Sequence, residues 1–180
     1  MSWESLEAVA AVVAAGAAVF AIWLQNKSFK ANLTADLAIK LDDRFSSAEV
    51  KESRSRAARA LKAHIAEKEA EDAFDFFETI GLFVRRKALD EEIVHSLFFH
   101  WINLYWTAGK DHIRRRQRET KNLWRDFESL YKKVLEIERE ENPNSPDITL
   151  SLFPDKLAQY LDEEIELANP SDSQTSADRR

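Results

Sequence analysis

Glu92-Ile93-Val94-His95 sets a carboxylate and an imidazole one helical turn apart, the spacing with which helix bundles hold metals. A di-metal site repeats that motif and adds two further inward Glu. His64-Ile65-Ala66-Glu67 offers only the reversed pairing, so no metal is expected, and Glu92 reads as a first-turn partner of the helix dipole. Glu78 is a sharper candidate, because it sits among Phe76, Phe77, Ile80 and Phe83. A carboxylate at the edge of such a core needs a cationic partner or a raised pKa. Arg54, Arg56 and Arg59 on the preceding helix can supply the partner, as can Arg114 to Arg116. The first reading is a partly buried ion pair that fixes helix register; the second is a ligand or catalytic group. His100 adjoins Trp101, Tyr105 and Trp106. Its first reading is a hydrogen-bonded histidine at the core edge, and its second is the wall of a ligand pocket. Glu78, Arg56, Arg59, His100 and Trp106 are therefore the ion-pair or pocket candidates.

Lys110 to Arg125 holds seven Lys and Arg against Asp111 and Glu119. Lys110, Arg114, Arg115, Arg116, Arg118 and Lys121 are candidates for contact with an anionic surface, either lipid headgroups or phosphates. The same helix pattern then runs into Glu136, Glu138, Glu140 and Glu141, and the whole chain carries a net charge of −6. That balance favours a solvated, ion-paired face; lipid is the preferred anionic partner, and nucleic acid is disfavoured. No Gly-rich phosphate loop, Ser/His/Asp set or paired carboxylate site is recognisable. No catalytic residue and no cofactor is expected, and the enzyme question leans to no.

The elements that position these residues are helices. Only 3 Gly and 4 Pro occur in 180 residues, too few turn formers for many short strands. Charged residues make up 32% and hydrophobic ones 44%, a folded composition. Cysteine is absent, which removes disulfides and thiolate sites. Phe29, Leu33, Leu37, Leu41 and Phe45 recur every fourth residue as one helical stripe. Ser46-Ser47-Ala48-Glu49 reads as a capping box opening a helix to about Lys68. Asp72 is expected to cap a helix from Ala73 to about Lys87, and Asp90 to cap the next one. These two form the core hairpin, since nine of the 19 aromatics lie between residues 74 and 106. A long helix is expected from Gly109 to about Glu141, then a loop over Asn142–Asp147 and a last amphipathic helix over 154–167 with Leu157, Tyr160, Leu161 and Ile165 inward.

Ala8 to Leu24 is 17 residues without a polar side chain. At about 1.5 Å per residue it spans roughly 25 Å, slightly less than a ~30 Å hydrocarbon core. Trp3 and Trp23 flank it as interfacial aromatics. Eight of the 17 are Ala, so insertion is favourable by only a few kcal/mol, about 2–4 on the insertion scale. No Lys or Arg precedes the run, whereas Lys27, Lys30, Lys40 and Arg44 follow it, which orients the N-terminus outside and the rest in the cytoplasm. Ala10, Ala14 and Ala18 form a small-xxx-small face suited to helix association. The triplets at Asn26 and Asn32 are chance matches on the cytoplasmic side.

The stretch "FFETIGLFVRRKALDEEIVHSLFFHWINLYW", Phe76 to Trp106, with "SRAARALKAH" before it and "IRRRQ…LWRDFESLY" after, resembles a bacterial family catalogued as domain of unknown function number 4760. The resemblance covers about Ser46 to Tyr131. It implies small proteins with an N-terminal transmembrane helix and a cytoplasmic helical domain, and it carries over no catalytic residue. Relatives often place glycine in the turn where this chain has Lys87.

The expectation is an all-α, single-pass membrane protein. Residues 1–27 form the anchor, with 5–24 in the bilayer of the inner (plasma) membrane. Residues 28–45 form a juxtamembrane helix, 46–168 a cytoplasmic bundle of about five helices, and 169–180 a disordered tail. Its expected role is a membrane-tethered interaction or regulatory module that binds a protein partner or its own copies. The alternatives are an enzyme or small-ligand sensor with a pocket near Glu78, His100 and Trp106, and nucleic-acid binding through Arg114 to Arg118.

Overall fold

The computed structural model describes residues 33–64 and 68–167. The expected anchor over 1–27, the Ala10/Ala14/Ala18 face, the Asn26 triplet, Asn32, the start of the juxtamembrane helix and the tail over 169–180 lie outside the described residues. Among the described residues there are seven helices and no strand, and no helix is long and apolar enough to cross a membrane.

The first helix, α1, is described over 33–45. It is followed by α2 (Ala48–Lys62), α3 (Lys68–Arg85), α4 (Glu91–Glu119), α5 (Arg125–Glu141), a 3₁₀ segment (Pro146–Leu152) and α6 (Pro154–Glu166). The apolar periodicity selects the buried faces: Phe74, Phe77, Ile80 and Val84 on α3, and Val94, Phe98, Ile102 and Tyr105 on α4. Phe45 ends α1 as the pivot of an aromatic cluster, with ring centroids 5.2 Å from Phe76 and 4.9 Å from Trp101. Phe127 of α5 stacks on Phe77 at 5.3 Å. Such pairs add about 0.5–1.5 kcal/mol each beyond area burial.

The chain path fixes two ends. The Thr34 hydroxyl donates to the Ala88 carbonyl at 3.2 Å, so the described part of α1 starts beside the α3–α4 turn. It then runs parallel to the first half of α4 and reaches Trp101. Helix α3 starts near His112, through Glu71, and returns to that turn. The turn, with Arg86 and Lys87 exposed, therefore marks the end of the bundle beside Thr34, the proximal end. The C-terminal part of α4 marks the distal end. The 23 residues from Glu91 to Arg114 rise about 35 Å at ~1.5 Å each.

Several boundaries differ from the sequence reading. Ser47, not Ser46, caps α2, its Oγ accepting from Val50 N at 3.4 Å. Helix α2 stops at Lys62 and α3 starts a full turn before Asp72. Asp90 caps α4 as expected, accepting from Glu92 N at 2.9 Å. The largest correction concerns Gly109. It does not divide two helices but lies buried inside α4, because a Cβ there would sit 2.3 Å from the Phe74 ring. The break comes at Thr120–Trp124, where Asn122 (φ 69°) and Trp124 (φ 51°) take left-handed backbone. Helix α1 belongs to the bundle through buried Ala38, Leu41 and Phe45, whereas Leu33 stays half exposed. At the α3–α4 turn Lys87 has φ 57°, the conformation in which glycine is at ease. The amides of Lys87 and Ala88 close that turn onto the carbonyls of Val84 and Phe83, both at 2.9 Å.

Candidate functional site

Glu78 has a partner, and it is not an arginine. Its carboxylate accepts from the backbone N–H of Phe127 at 2.7 Å. Helix α5 opens at left-handed Trp124, which provides no side-chain cap, so Glu78 reaches across from α3 to cap it. Burial pushes the Glu78 carboxyl above its usual range, and the Phe127 N–H pulls the other way. Two more α3 side chains grip the same helix end. Asp75 accepts from the Trp124 indole at 2.7 Å, and Arg85 forks onto Asp126 at 2.9 and 3.0 Å. The backbones touch as well: a Cβ on Gly81 would lie 2.3 Å from the Asp126 carbonyl oxygen. The region around Glu78 is a docking joint between α3 and α5.

The other pocket candidates face different neighbours. His100 packs edge-on to Tyr160 at 4.5 Å and Trp101 at 5.8 Å, and burial lowers its pKa. Trp106 stacks on Tyr131 at 5.2 Å and meets Phe127 edge-on at 5.4 Å. Arg56 is exposed and pairs with Glu52 one turn back; Arg59 is exposed. The structure does not bring Glu78, His100, Trp106, Arg56 and Arg59 together into one pocket. At Glu92 and His95, the histidine turns toward α5, with Nε2 2.9 Å from Glu138 and Nδ1 3.6 Å from Glu141, while Glu92 is exposed. Among the described residues no group of three His, Asp or Glu is arranged to hold a metal.

The basic run is partly used up by the bundle. Arg116 pairs with Glu71 at 3.0 Å and Glu119 at 2.9 Å. Arg115 donates to His112 Nδ1 at 3.0 Å, which leaves the other ring nitrogen to donate to Glu71 at 2.9 Å. Lys110 is half-buried, and Arg114, Arg118 and Lys121 are exposed. All six stand at the distal end, remote from the point where α1 begins.

The most developed polar site is one that the sequence reading missed. Arg54 of α2 and Glu164 of α6 are 4% and 3% exposed. Four donors converge on the Glu164 carboxylate, two to each oxygen. Arg54 Nε and the Tyr105 hydroxyl reach Oε2 at 2.8 and 3.0 Å, and Arg54 Nη2 and the Trp101 indole reach Oε1 at 2.5 and 2.9 Å. The guanidinium lies 4.0 Å over the Phe45 ring. Burial, with the adjacent carboxylate, drives the Tyr105 phenol well above its usual pKa, so it stays a donor. Arg54 and Tyr105 also line a groove of about 360 Å³ walled by Leu41, Phe45, Val50 and Phe76. The sequence signal was available: Glu164 lies on the inward stripe of α6, three residues after Leu161 and beside Ile165. Among the described residues, no buried side-chain nitrogen or oxygen lacks a hydrogen-bond partner.

No curated protein and no solved structure matches the chain. One family matches over residues 8–134, beginning inside the apolar run and ending within α5, so that Arg54, Trp101 and Tyr105 fall inside the matched region and Glu164 outside it. With that match over more than half its length, the chain belongs to the family described as a domain of unknown function (DUF4760).

Proposed function

We propose that the chain is a membrane-tethered helical interaction module, with the N-terminus outside, the bundle on the cytoplasmic face of the inner membrane, and a protein partner or a second copy as its target. The observation that carries this reading is the Ala8–Leu24 run with basic residues on one side only, a run that the family match includes from residue 8. The bundle supports action by binding: its buried polar groups are engaged within the fold, as in Arg54–Glu164, His95–Glu138 and Asp126 with Arg85. On this reading the proximal end, with Arg86 and Lys87, faces anionic headgroups. The exposed Arg114, Arg118 and Lys121 are turned away from the bilayer, toward a partner.

The absence of cysteine makes the test clean. Single cysteines replacing Lys87 or Arg118 are labelled with a fluorophore in native membrane vesicles and challenged with lipid-borne quenchers. Strong quenching at 87 with little at 118 is expected, together with resistance of the protein to alkaline extraction. Release by alkaline carbonate removes the anchor, and equal quenching at both positions removes the orientation.

A further inference from the structure

We propose that Arg54, Trp101 and Tyr105 form a carboxylate-binding site, which Glu164 of α6 fills as a displaceable internal ligand. Three observations carry this. The donors are a complete receptor for a carboxylate: a bidentate guanidinium, an indole N–H and a phenol saturate both oxygens in a dry setting. The receptor is built without α6. Its side chains stand on α2 and α4, Phe45 of α1 supports the guanidinium from beneath, and all lie inside the family-matched region, which ends 30 positions before Glu164.

The occupant, finally, stands on a helix with fewer fully buried apolar side chains than α5. Helix α6 fully buries only Leu161 and Glu164, with Leu157, Tyr160 and Ile165 half-buried against the core. Its other polar ties are the half-exposed Lys62–Asp162 pair, the Ser55 hydroxyl on the Ile165 carbonyl, and Lys156 and Tyr160 on Asp147. Helix α5, for comparison, buries Phe127, Leu130, Val134 and Leu135. When α6 lifts, it exposes one fully buried apolar side chain and three half-buried ones, and it leaves Arg54 uncompensated. The open site then favours a carboxylate, because the Arg54 guanidinium, the Trp101 indole and the Tyr105 hydroxyl all reach the place of the Glu164 carboxylate. The carboxylate comes either on a small molecule or on a helix resembling α6, an acidic residue set beside Leu and Ile.

The test uses the full chain and two probes, sodium acetate and a synthetic peptide of residues 154–166. In Glu164→Ala, acetate at constant ionic strength is expected to raise Tm saturably while chloride does not, and Arg54→Met in the same background abolishes the response. In the wild-type chain, amides of α6 are expected to exchange several-fold faster than those of α4, and either probe accelerates α6 exchange further without changing α4. A response to acetate shows that the box alone suffices. A response to the peptide alone shows that the receptor requires the helix around the carboxylate. If neither probe moves Glu164→Ala, or if α6 of the wild type exchanges only together with α4 and ignores both probes, the site is an internal pin and the proposal fails. The wild-type exchange measurement decides the matter even where Glu164→Ala does not fold.

Discussion

Two helices of this bundle are fastened by polar clamps, in opposite ways. Helix α5 is gripped by Asp75, Glu78 and Arg85 at its half-exposed N-terminus, but its stability comes from the apolar face with Phe127, Leu130 and Val134. Helix α6 fully buries a single apolar side chain, Leu161, with Leu157, Tyr160 and Ile165 half-buried, and carries one fully enclosed ion pair. The comparison teaches that a buried charge can substitute for hydrophobic area only while both partners are present. An exposed clamp on a well-packed helix chiefly sets geometry.

The contrast breaks most visibly at Glu164. Glu164→Ala leaves Arg54 buried and unpaired and is expected to cost about 3–5 kcal/mol. Replacing both partners by Leu is expected to restore most of that, as read by chemical denaturation. If the single and double variants lose the same amount, α6 is held by its apolar contacts after all. Next in size is Gly81→Ala, whose Cβ would meet the Asp126 backbone and push α3 from α5; overpacking of this kind costs about 1–3 kcal/mol. A neutral result would mean that the two helices part without loss, and that the joint is looser than its geometry.

Glu78→Ala removes a cap and is expected to cost about 1 kcal/mol, well below Glu164→Ala. Its pH dependence sharpens the point. With its pKa raised in the folded chain, Glu78 binds a proton more tightly when folded than when unfolded. Its contribution is therefore complete below the ordinary value of 4.5 and diminishes as pH rises through the raised value. Glu78→Gln should flatten that part of the stability profile, and an unchanged slope would assign it elsewhere. The smallest effect belongs to neither clamp. Lys87→Gly relieves a left-handed lysine and is expected to stabilise by about 0.5–1 kcal/mol, a calibration of the denaturation assay.

The helical class and the buried faces of α3 and α4 were legible because the 3.6-residue period is written into Phe74, Phe77, Ile80 and Phe98, and Asp90 announced its helix start. The α4–α5 break was not legible. Gly109 looked like punctuation, yet it is consumed by the Phe74 ring, while the actual turn uses Asn122, a weaker left-handed signal than glycine, and Trp124, which gives none. Glu78 stands out in the sequence as a carboxylate in an apolar setting. Its partner was beyond a composition argument, since a backbone N–H has no residue type. Arg54 and Glu164 are 110 positions apart, and no local periodicity couples such a pair. Only the inward place of Glu164 on α6 hinted that it was not a surface acid.

The sequence distance within the carboxylate box also sets a schedule. Glu164 follows Tyr105 by 59 positions, and a ribosome adding about 5–20 residues per second needs some 3–12 s to cover them. For that interval Arg54, Trp101 and Tyr105 exist in a nascent chain whose own carboxylate has not been made. Whatever meets the growing protein during those seconds meets an open receptor, and α6 closes it when it follows.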